Sequence, residues 1–231
     1  MNTISGKNAV ADFYTAIADY YDAQRFGQLR DESDEDRQDD LDDVAEQVAE
    51  LMRGHTVLEL GCGTGYFTDV IAETAKSVLA TDISEAMLNV AREHGEGLEN
   101  VKYRVVDALN LPNDLGNEVG KITAVFAGFL WSHFRKEEQD AFLAGLRARI
   151  GKDALLVLID DEYVEGASPT VARTDAQGNT WAQFVDAEGK RHELPKNYPT
   201  DSALRKRLGT AVREIKIGRW DSCWALTCRL K

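Results

Sequence analysis

VLELGCGTGYFT, running from Val57 to Thr68, is the stretch whose reading decides the fold. Val57, Leu58 and Leu60 make a short apolar run of the kind that forms a buried strand. The run breaks after Glu59 into Gly61-Cys62-Gly63-Thr64-Gly65, and a helical pattern follows. Glycine at every second position removes the side chains that would hold a ligand off the backbone, and it permits positive φ where the chain turns sharply. A strand that ends this way and feeds a helix N-terminus builds a concave, donor-rich pocket at the edge of a sheet.

Downstream, apolar runs and amphipathic stretches alternate. Ser77–Ala80 reads as a second strand ending in Thr81-Asp82-Ile83-Ser84, and the helix Glu85–His94 carries Met87, Leu88 and Ala91 on one side. Val101–Val106 is a third strand, ending at Asp107-Ala108, and Lys121–Phe126 a fourth, ending Ala127-Gly128. The helix Lys136–Ile150 and the strand Ala154–Ile159, ending Asp160-Asp161, complete the series. Such alternation predicts right-handed crossovers and a parallel sheet. After residue 161 the pattern changes. Two glycine turns, Asp175–Asn179 and Asp186–Lys190, flank Thr180–Val185 and predict an antiparallel hairpin excursion. A helix from Pro199-Thr200-Asp201 to Leu208 follows, then two alternating runs, Ala211–Trp220 and Cys223–Leu230, joined tightly as an antiparallel pair.

Upstream, Phe13, Ile17, Tyr20 and Tyr21 have helical spacing, as do Leu41, Val44, Ala45, Val48, Leu51 and Met52 in and just after the acidic stretch 31–50. Asp31 or Ser33 suits the N-cap of that second helix and Gly54 its C-terminal stop. These two helices either cover the open end of the pocket or simply pack on the sheet. The acidic stretch reads as a solvated helix face, with docking of a basic partner as the sharper alternative. The expected plan is one α/β domain over 1–231: a helical cap (1–54), a ligand-binding core (55–160), an insert that can act as a lid (161–199) and a final helix with a strand pair (200–231).

With 231 residues and 43% hydrophobic composition, the chain can bury a full core. A formal net charge of −13 argues against a nucleic-acid substrate, whose phosphates need basic surface. No apolar run reaches the roughly 20 residues of a membrane span, and MNTISGKNAV lacks the pattern of a signal peptide. Three cysteines without a CxxC or His/Cys cluster fit a reducing cytoplasm and suggest no metal. Oligomeric state is not readable from the sequence.

Ligands of open parallel sheets collect beyond the carboxyl ends of the strands, where Glu59, Asp82 and Asp107 fall. A carboxylate at Asp82 accepts from two adjacent ribose hydroxyls at once; the plain alternative is a helix cap. The dinucleotide fingerprint G-x-G-x-x-G fits poorly, because the spacing here is Gly61-x-Gly63-x-Gly65.

This E-x-G-x-G-x-G pattern, with Asp82 and Asp107 at successive strand ends, resembles the class I S-adenosylmethionine-dependent methyltransferases, most closely their small-molecule branch. The resemblance covers roughly residues 55–160. It implies a Rossmann-like, mostly parallel seven-stranded sheet with helices on both faces and an antiparallel C-terminal strand. It implies that Glu59, Gly61, Gly63 and Gly65 wrap the methionine part of S-adenosylmethionine. By the same resemblance Asp82 holds the ribose hydroxyls, Ile83 packs on adenine, Asp107 and Ala108 meet the adenine edge, and the segment from Ala127 to Trp131 lies near the reactive end.

Methyl transfer to an O, N or C nucleophile mainly requires placement, with a base where the acceptor must lose a proton. His133, just past the fourth strand, is the candidate general base; otherwise it serves as a structural hydrogen bonder. His55, His94 and His192 have no comparable placement. Tyr20, Tyr21 and Trp131, together with Phe134, Tyr163 and Trp181, can line an aromatic acceptor pocket or belong to the core. Asp160, Asp161 and Glu162 either contact the acceptor or cap their strand. The resulting expectation is a cytoplasmic methyltransferase acting on a small molecule. Its rivals are a protein methyltransferase, a non-catalytic S-adenosylmethionine-binding module and a nicotinamide oxidoreductase.

Overall fold

The computed structural model describes residues 9–23 and 32–231, with side chains described for 9–23 and 37–231. The cap expected at Asp31 or Ser33 lies outside those residues and side chains. Strand β1 (Thr56–Leu60) is buried along its whole length, as a strand covered on both sheet faces must be. It lies parallel to β2 (Ser77–Asp82) on one side and to β4 (Ala124–Gly128) on the other. With β3 (Val101–Val105), β5 (Leu155–Asp161), β9 (Val212–Arg219) and β10 (Cys223–Leu230), these form a seven-stranded sheet of order β3-β2-β1-β4-β5-β10-β9. Strand β10 runs antiparallel to both β5 and β9. The direction of winding reverses between β1 and β4, which is where such sheets open a crevice for ligands.

Side-chain alternation sends successive residues of each central strand to opposite faces. Leu58, Leu60, Val125, Ala127, Leu156 and Leu158 enter one core with Phe142, Leu143 and Leu146 of α6 (Lys136–Arg149) and Leu204 and Leu208 of α7 (Asp201–Leu208). Val57, Ala124, Phe126, Val157 and Ile159 enter the other. There they meet Val44, Val48 and Met52 of α2 (Glu32–Met52), Phe67 and Ile71 of α3 (Tyr66–Ala72) and Leu88 of α4 (Glu85–His94). Truncating one of these buried leucines to Ala costs about 2–5 kcal/mol. The acidic helix α2 therefore has an apolar face on the sheet, and its Asp40 accepts from the backbone N and the hydroxyl of Ser222 in the β9–β10 turn, at 2.8 and 2.7 Å. A short helix, α5 (Gly116–Val119), leads toward β4.

Three boundaries differ from the sequence reading. Strand β4 begins at Ala124 rather than Lys121, because Gly120 takes φ +89° and residues 121–123 are still linking chain. Strand β5 runs on through Asp160 and Asp161, which pair with Trp224 and Cys223 of β10. The region after residue 161 is more than a hairpin. It forms a separate three-stranded antiparallel sheet of β6 (Val171–Thr174), β7 (Thr180–Val185) and β8 (Arg191–Pro195). Helix α1 (Ala9–Ile17) packs on this small sheet. Phe13 lies 5.4 Å from Phe184 and 5.1 Å from His192 between ring centroids, and a small core joins Phe13 and Ile17 to Met87 of α4 and Leu194 of β8.

Candidate active site

The chain turns out of β1 into a knuckle held from below. Gly63, at φ +56°, donates its backbone N–H to Asp82 Oδ2 at 3.0 Å, and Ser84 N donates to Asp82 Oδ1 at 2.8 Å. Asp82 thus ties the ends of β1 and β2 together, while Ser84, whose Oγ accepts from Met87 N, is the residue that caps α4. Gly65 is left-handed at φ +98°, and a Cβ there would stand 3.3 Å from Ala91 Cβ, so a side chain would push α3 away from α4.

Burial dominates the electrostatics at this end. Glu59 is 1% exposed, accepts from Thr68 Oγ1 at 2.7 Å, and is pushed up to about 8 by desolvation. Asp82 is raised for the same reason, against the pull of its backbone donors. Burial also pushes the Cys62 thiol well up, which keeps it an unreactive neutral group. Asp107, at the end of β3, accepts from Leu109 N at 2.8 Å and from the Asn110 amide. Ile83 stands 44% exposed beside these carboxylates.

A cavity of about 810 Å³ opens over these strand ends. Glu59, Gly61, Gly63, Asp82, Ile83, Asp107, Ala108, Tyr21 and His133 all line it. Gly65, Ala127, Tyr20 and Trp131 do not. Gly65 is taken up by the α3–α4 contact. Ala127 points into the core beneath the sheet, because alternation gives the pocket Phe126 and Gly128 instead. Trp131 is 1% exposed and packs edge-on against Phe142. The Tyr20 hydroxyl accepts from Ala187 N in the β7–β8 turn at 2.6 Å. Asp160 and Asp161 are tied to Lys196 behind the cavity wall, and Glu162 pairs with Arg219.

At the far end of the cavity, His133 is held on both ring nitrogens. Nδ1 lies 2.8 Å from the Pro195 carbonyl, and Nε2 lies 2.8 Å from the Tyr14 hydroxyl. A carbonyl only accepts, so in the neutral ring the proton sits on Nδ1 and Nε2 accepts from Tyr14. Tyr14 comes from α1 and Pro195 from β8, so the covering elements meet at this histidine. Periodicity does not mark Tyr14, and its partner is far away in the chain. Arg135, Glu138, Trp181 and Glu193 complete the wall here. Arg135 pairs with Glu138 at 2.6 Å, and Arg173 lies 4.3 Å over the Trp181 ring while bonding Glu193 at 2.7 Å. Phe129, in the loop after β4, holds a left-handed φ of +55°, a costly conformation for an aromatic residue and one that recurs at ligand sites.

Residues 57–152 match the family described as a methyltransferase domain. This match spans the glycine knuckle and strands β2 to β4. Among similar methyltransferases, phosphoethanolamine N-methyltransferase 1 of Caenorhabditis elegans is 33% identical over 93 residues, 40% of this chain and 19% of that protein. The ubiquinone biosynthesis O-methyltransferase of Bordetella avium is 30% identical over 81 residues, 35% of this chain and 34% of the other. The alignments therefore span a fifth to a third of these relatives' lengths. The solved DhpI-SAM-HEP complex has the same fold, with TM-score 0.72 at 23% identity, covering 99% of this chain and 100% of that one. The methyltransferase fold thus extends beyond the residues matched in sequence. Among the described residues, no helix is long and apolar enough to cross a membrane, and no cluster of His, Cys, Asp and Glu is placed to hold a metal.

Proposed function

We propose that this protein is an S-adenosylmethionine-dependent methyltransferase acting on an O, N or C nucleophile of a small molecule. The observation that carries the reading is the continuity of one cavity from the glycine knuckle and Asp82 to His133, with α1 and the small sheet over its far end. The residues fit the methyl donor. Gly61 and Gly63 leave the backbone bare, Asp82 keeps acceptor capacity for a ribose diol beyond its two backbone bonds, and exposed Ile83 offers an apolar platform to a flat ring. Asp107 and Ala108, on the wall of the same cavity, are assigned to the adenine edge. When bound, S-adenosylmethionine supplies a methyl group already activated on a sulfonium.

What remains for the protein is to bind, align and deprotonate. The covered end excludes water and holds the acceptor in line with the methyl group. His133, neutral with Nε2 turned to Tyr14, is the general base. Tyr14 and His133 both line the cavity, so a proton leaving the acceptor reaches Nε2 either directly, once the hydroxyl shifts, or through the phenol. Tyr21 and Trp181 give the acceptor chamber aromatic walls. The domain plan, one unit with an N-terminal cap and an insert lid, belongs to the same proposal, as does a cytoplasmic location. The net charge of −13 and the covered cavity favour a small acceptor over a polynucleotide.

The test is calorimetric titration with S-adenosylhomocysteine, followed by transfer of labelled methyl from S-adenosylmethionine to a panel of hydroxy, amino and carboxylic acceptors. Binding together with labelling of a small acceptor supports the proposal. Labelling of proteins alone, or preference for a nicotinamide cofactor, overturns it.

A further inference from the structure

We infer that Lys196 is a positioning residue: it clamps the His133 loop to the end of the small sheet and thereby fixes the tautomer and direction of the base. The inference rests on the methyl-transfer reading above, which gives His133 its task.

Two tripeptides face each other. One is Ser132-His133-Phe134, the end of the 3-10 turn Trp131–His133 after β4 and the residue that follows it; the other is Pro195-Lys196-Asn197, at the end of β8. The Pro195 carbonyl takes the His133 Nδ1 proton at 2.8 Å. Asn197 donates its backbone N to the Ser132 carbonyl at 2.9 Å, and its amide to the Ser132 and Phe134 carbonyls at 3.2 and 3.1 Å. Lys196 stands in the middle, with Nζ donating to Ser132 Oγ at 2.8 Å, Asp160 Oδ1 at 3.1 Å and Asp161 Oδ2 at 2.6 Å. Asp160 closes the circuit by accepting from Ser132 N at 2.7 Å. Arg37 of α2 reaches the other oxygen of Asp161 at 3.5 Å.

This is a costly arrangement. Lys196 is 3% exposed and Asp160 is fully buried, and taking such charges out of water is repaid only when every lone pair and proton finds a partner. A hydrophobic plug would hold the two elements together at lower cost. What the charged plug adds is direction. Asp160 and Lys196 fix the Ser132 backbone N–H and the Ser132 hydroxyl, and the residue after Ser132 is the base. Lys196 also follows Pro195 directly, so anchoring its ammonium on β5 sets where the Pro195 carbonyl points. Neither Lys196 nor Asp160 lines the cavity, so both act through His133 and not on the substrate.

The test uses K196M and S132A, the second removing one contact without creating an unpaired charge. Both are compared with wild type by melting, S-adenosylhomocysteine affinity, the kcat/KM split with the best acceptor, the pH profile of kcat, and ¹⁵N spectra of the His133 ring. Expected are unchanged cofactor affinity, kcat down on the order of 10–100-fold in K196M and by less in S132A, a shifted pH profile, and loss of the pure Nδ1–H tautomer in K196M. Wild-type kcat, pH profile and tautomer in folded K196M overturn the proposal. Should K196M not fold, S132A decides on the same readouts. Should wild type turn over no acceptor, the ring spectra still decide: a tautomer indifferent to K196M and S132A overturns the clamp, and one that follows them supports it.

Discussion

The two ends of the cavity are assembled in different ways. At the glycine knuckle, Glu59, Gly61, Gly63, Asp82 and Asp107 come from three adjacent strand ends, and each reaches its place through parallel register with its neighbour. At the other end, Tyr14, His133 and Pro195 come from a helix, a turn and the edge of a second sheet, the bonded pairs standing 119 and 62 positions apart in the chain. The first end is a property of the sheet. The second depends on a small core, Phe13 with Ile17, Met87 and Leu194, holding α1 on the insert. A methyl donor is the same for every enzyme that uses it while acceptors differ, so the division places the variable chemistry on the variable elements.

The sharpest way to break this division is at His133. His133→Ala should lower turnover on the order of 10²–10⁴-fold while S-adenosylhomocysteine affinity stays within about 0.5 kcal/mol of wild type. Single-turnover methyl transfer and calorimetry on the same preparation measure the two quantities. A joint fall of both would mean that the ends are one site, and the comparison would collapse. A fully active variant would return His133 to a structural role.

The other end has its own signature in pH. Burial holds the Glu59 carboxyl up at about 8, against an ordinary value of 4.5, so the folded state keeps a proton that the unfolded chain releases. Between those values the native protein binds more protons than the unfolded one, and stability therefore falls as pH rises through that window. The loss is on the order of a few kcal/mol for a group so buried. Glu59→Gln keeps an acceptor for Thr68 and removes the titration. Denaturant midpoints at pH 5.5 and 8.5 should converge in the variant and diverge in wild type. Equal slopes in the two proteins would show that Glu59 stays ionised, held by groups the burial argument omits.

What could be read from sequence divides along the same line. The knuckle is legible because its demands are local. Alternate glycines, an apolar strand before them and a carboxylate at the next strand end are fixed by backbone geometry. Ala127 lies within β4, whose alternation turns it into the core, and Trp131 follows in a 3-10 turn that buries it against Phe142, so neither lines the cavity as the reading of that segment expects. Tyr14 is not legible in the sequence, since nothing in AVADFYTAI sets it apart from the neighbouring Phe13, and both pack at the small core. Lys196 reads only as part of the insert that can act as a lid or specificity element, and its tie to Asp160 and Asp161 emerges once β5 and β8 are brought together. The third strand of the insert was missed because Val171–Thr174 is exposed throughout and lacks the buried alternation that a strand usually shows.

Asp82 tests whether the knuckle binds or merely folds. Asp82→Ala should weaken S-adenosylhomocysteine binding by about 1–3 kcal/mol, through the loss of a charged acceptor for two hydroxyls. It also leaves the Gly63 and Ser84 backbone donors without their partner, so the apo protein should melt lower. Asp82→Asn separates the effects, since its carbonyl oxygen still accepts one backbone bond but the charge is gone. Should the affinity of Asp82→Asn equal that of wild type, the role of Asp82 is confined to tying β1 to β2.

Ile83 gives the smallest effect and the cleanest one. It is 44% exposed, so its side chain contributes little to folding, and solitary surface isoleucines are common enough to need no function. A platform for adenine makes a different demand: the exposed part is buried only when the ligand is present. Ile83→Ala should then leave the apo melting temperature unchanged and cost about 1 kcal/mol of S-adenosylhomocysteine affinity, as expected for about 40 Å² of apolar surface no longer covered. Adenosine alone should lose the same amount, because the contact is to the base. A loss seen with S-adenosylhomocysteine but absent with adenosine would move the adenine off Ile83 to another part of the cavity wall, where Asp107 and Leu109 also lie.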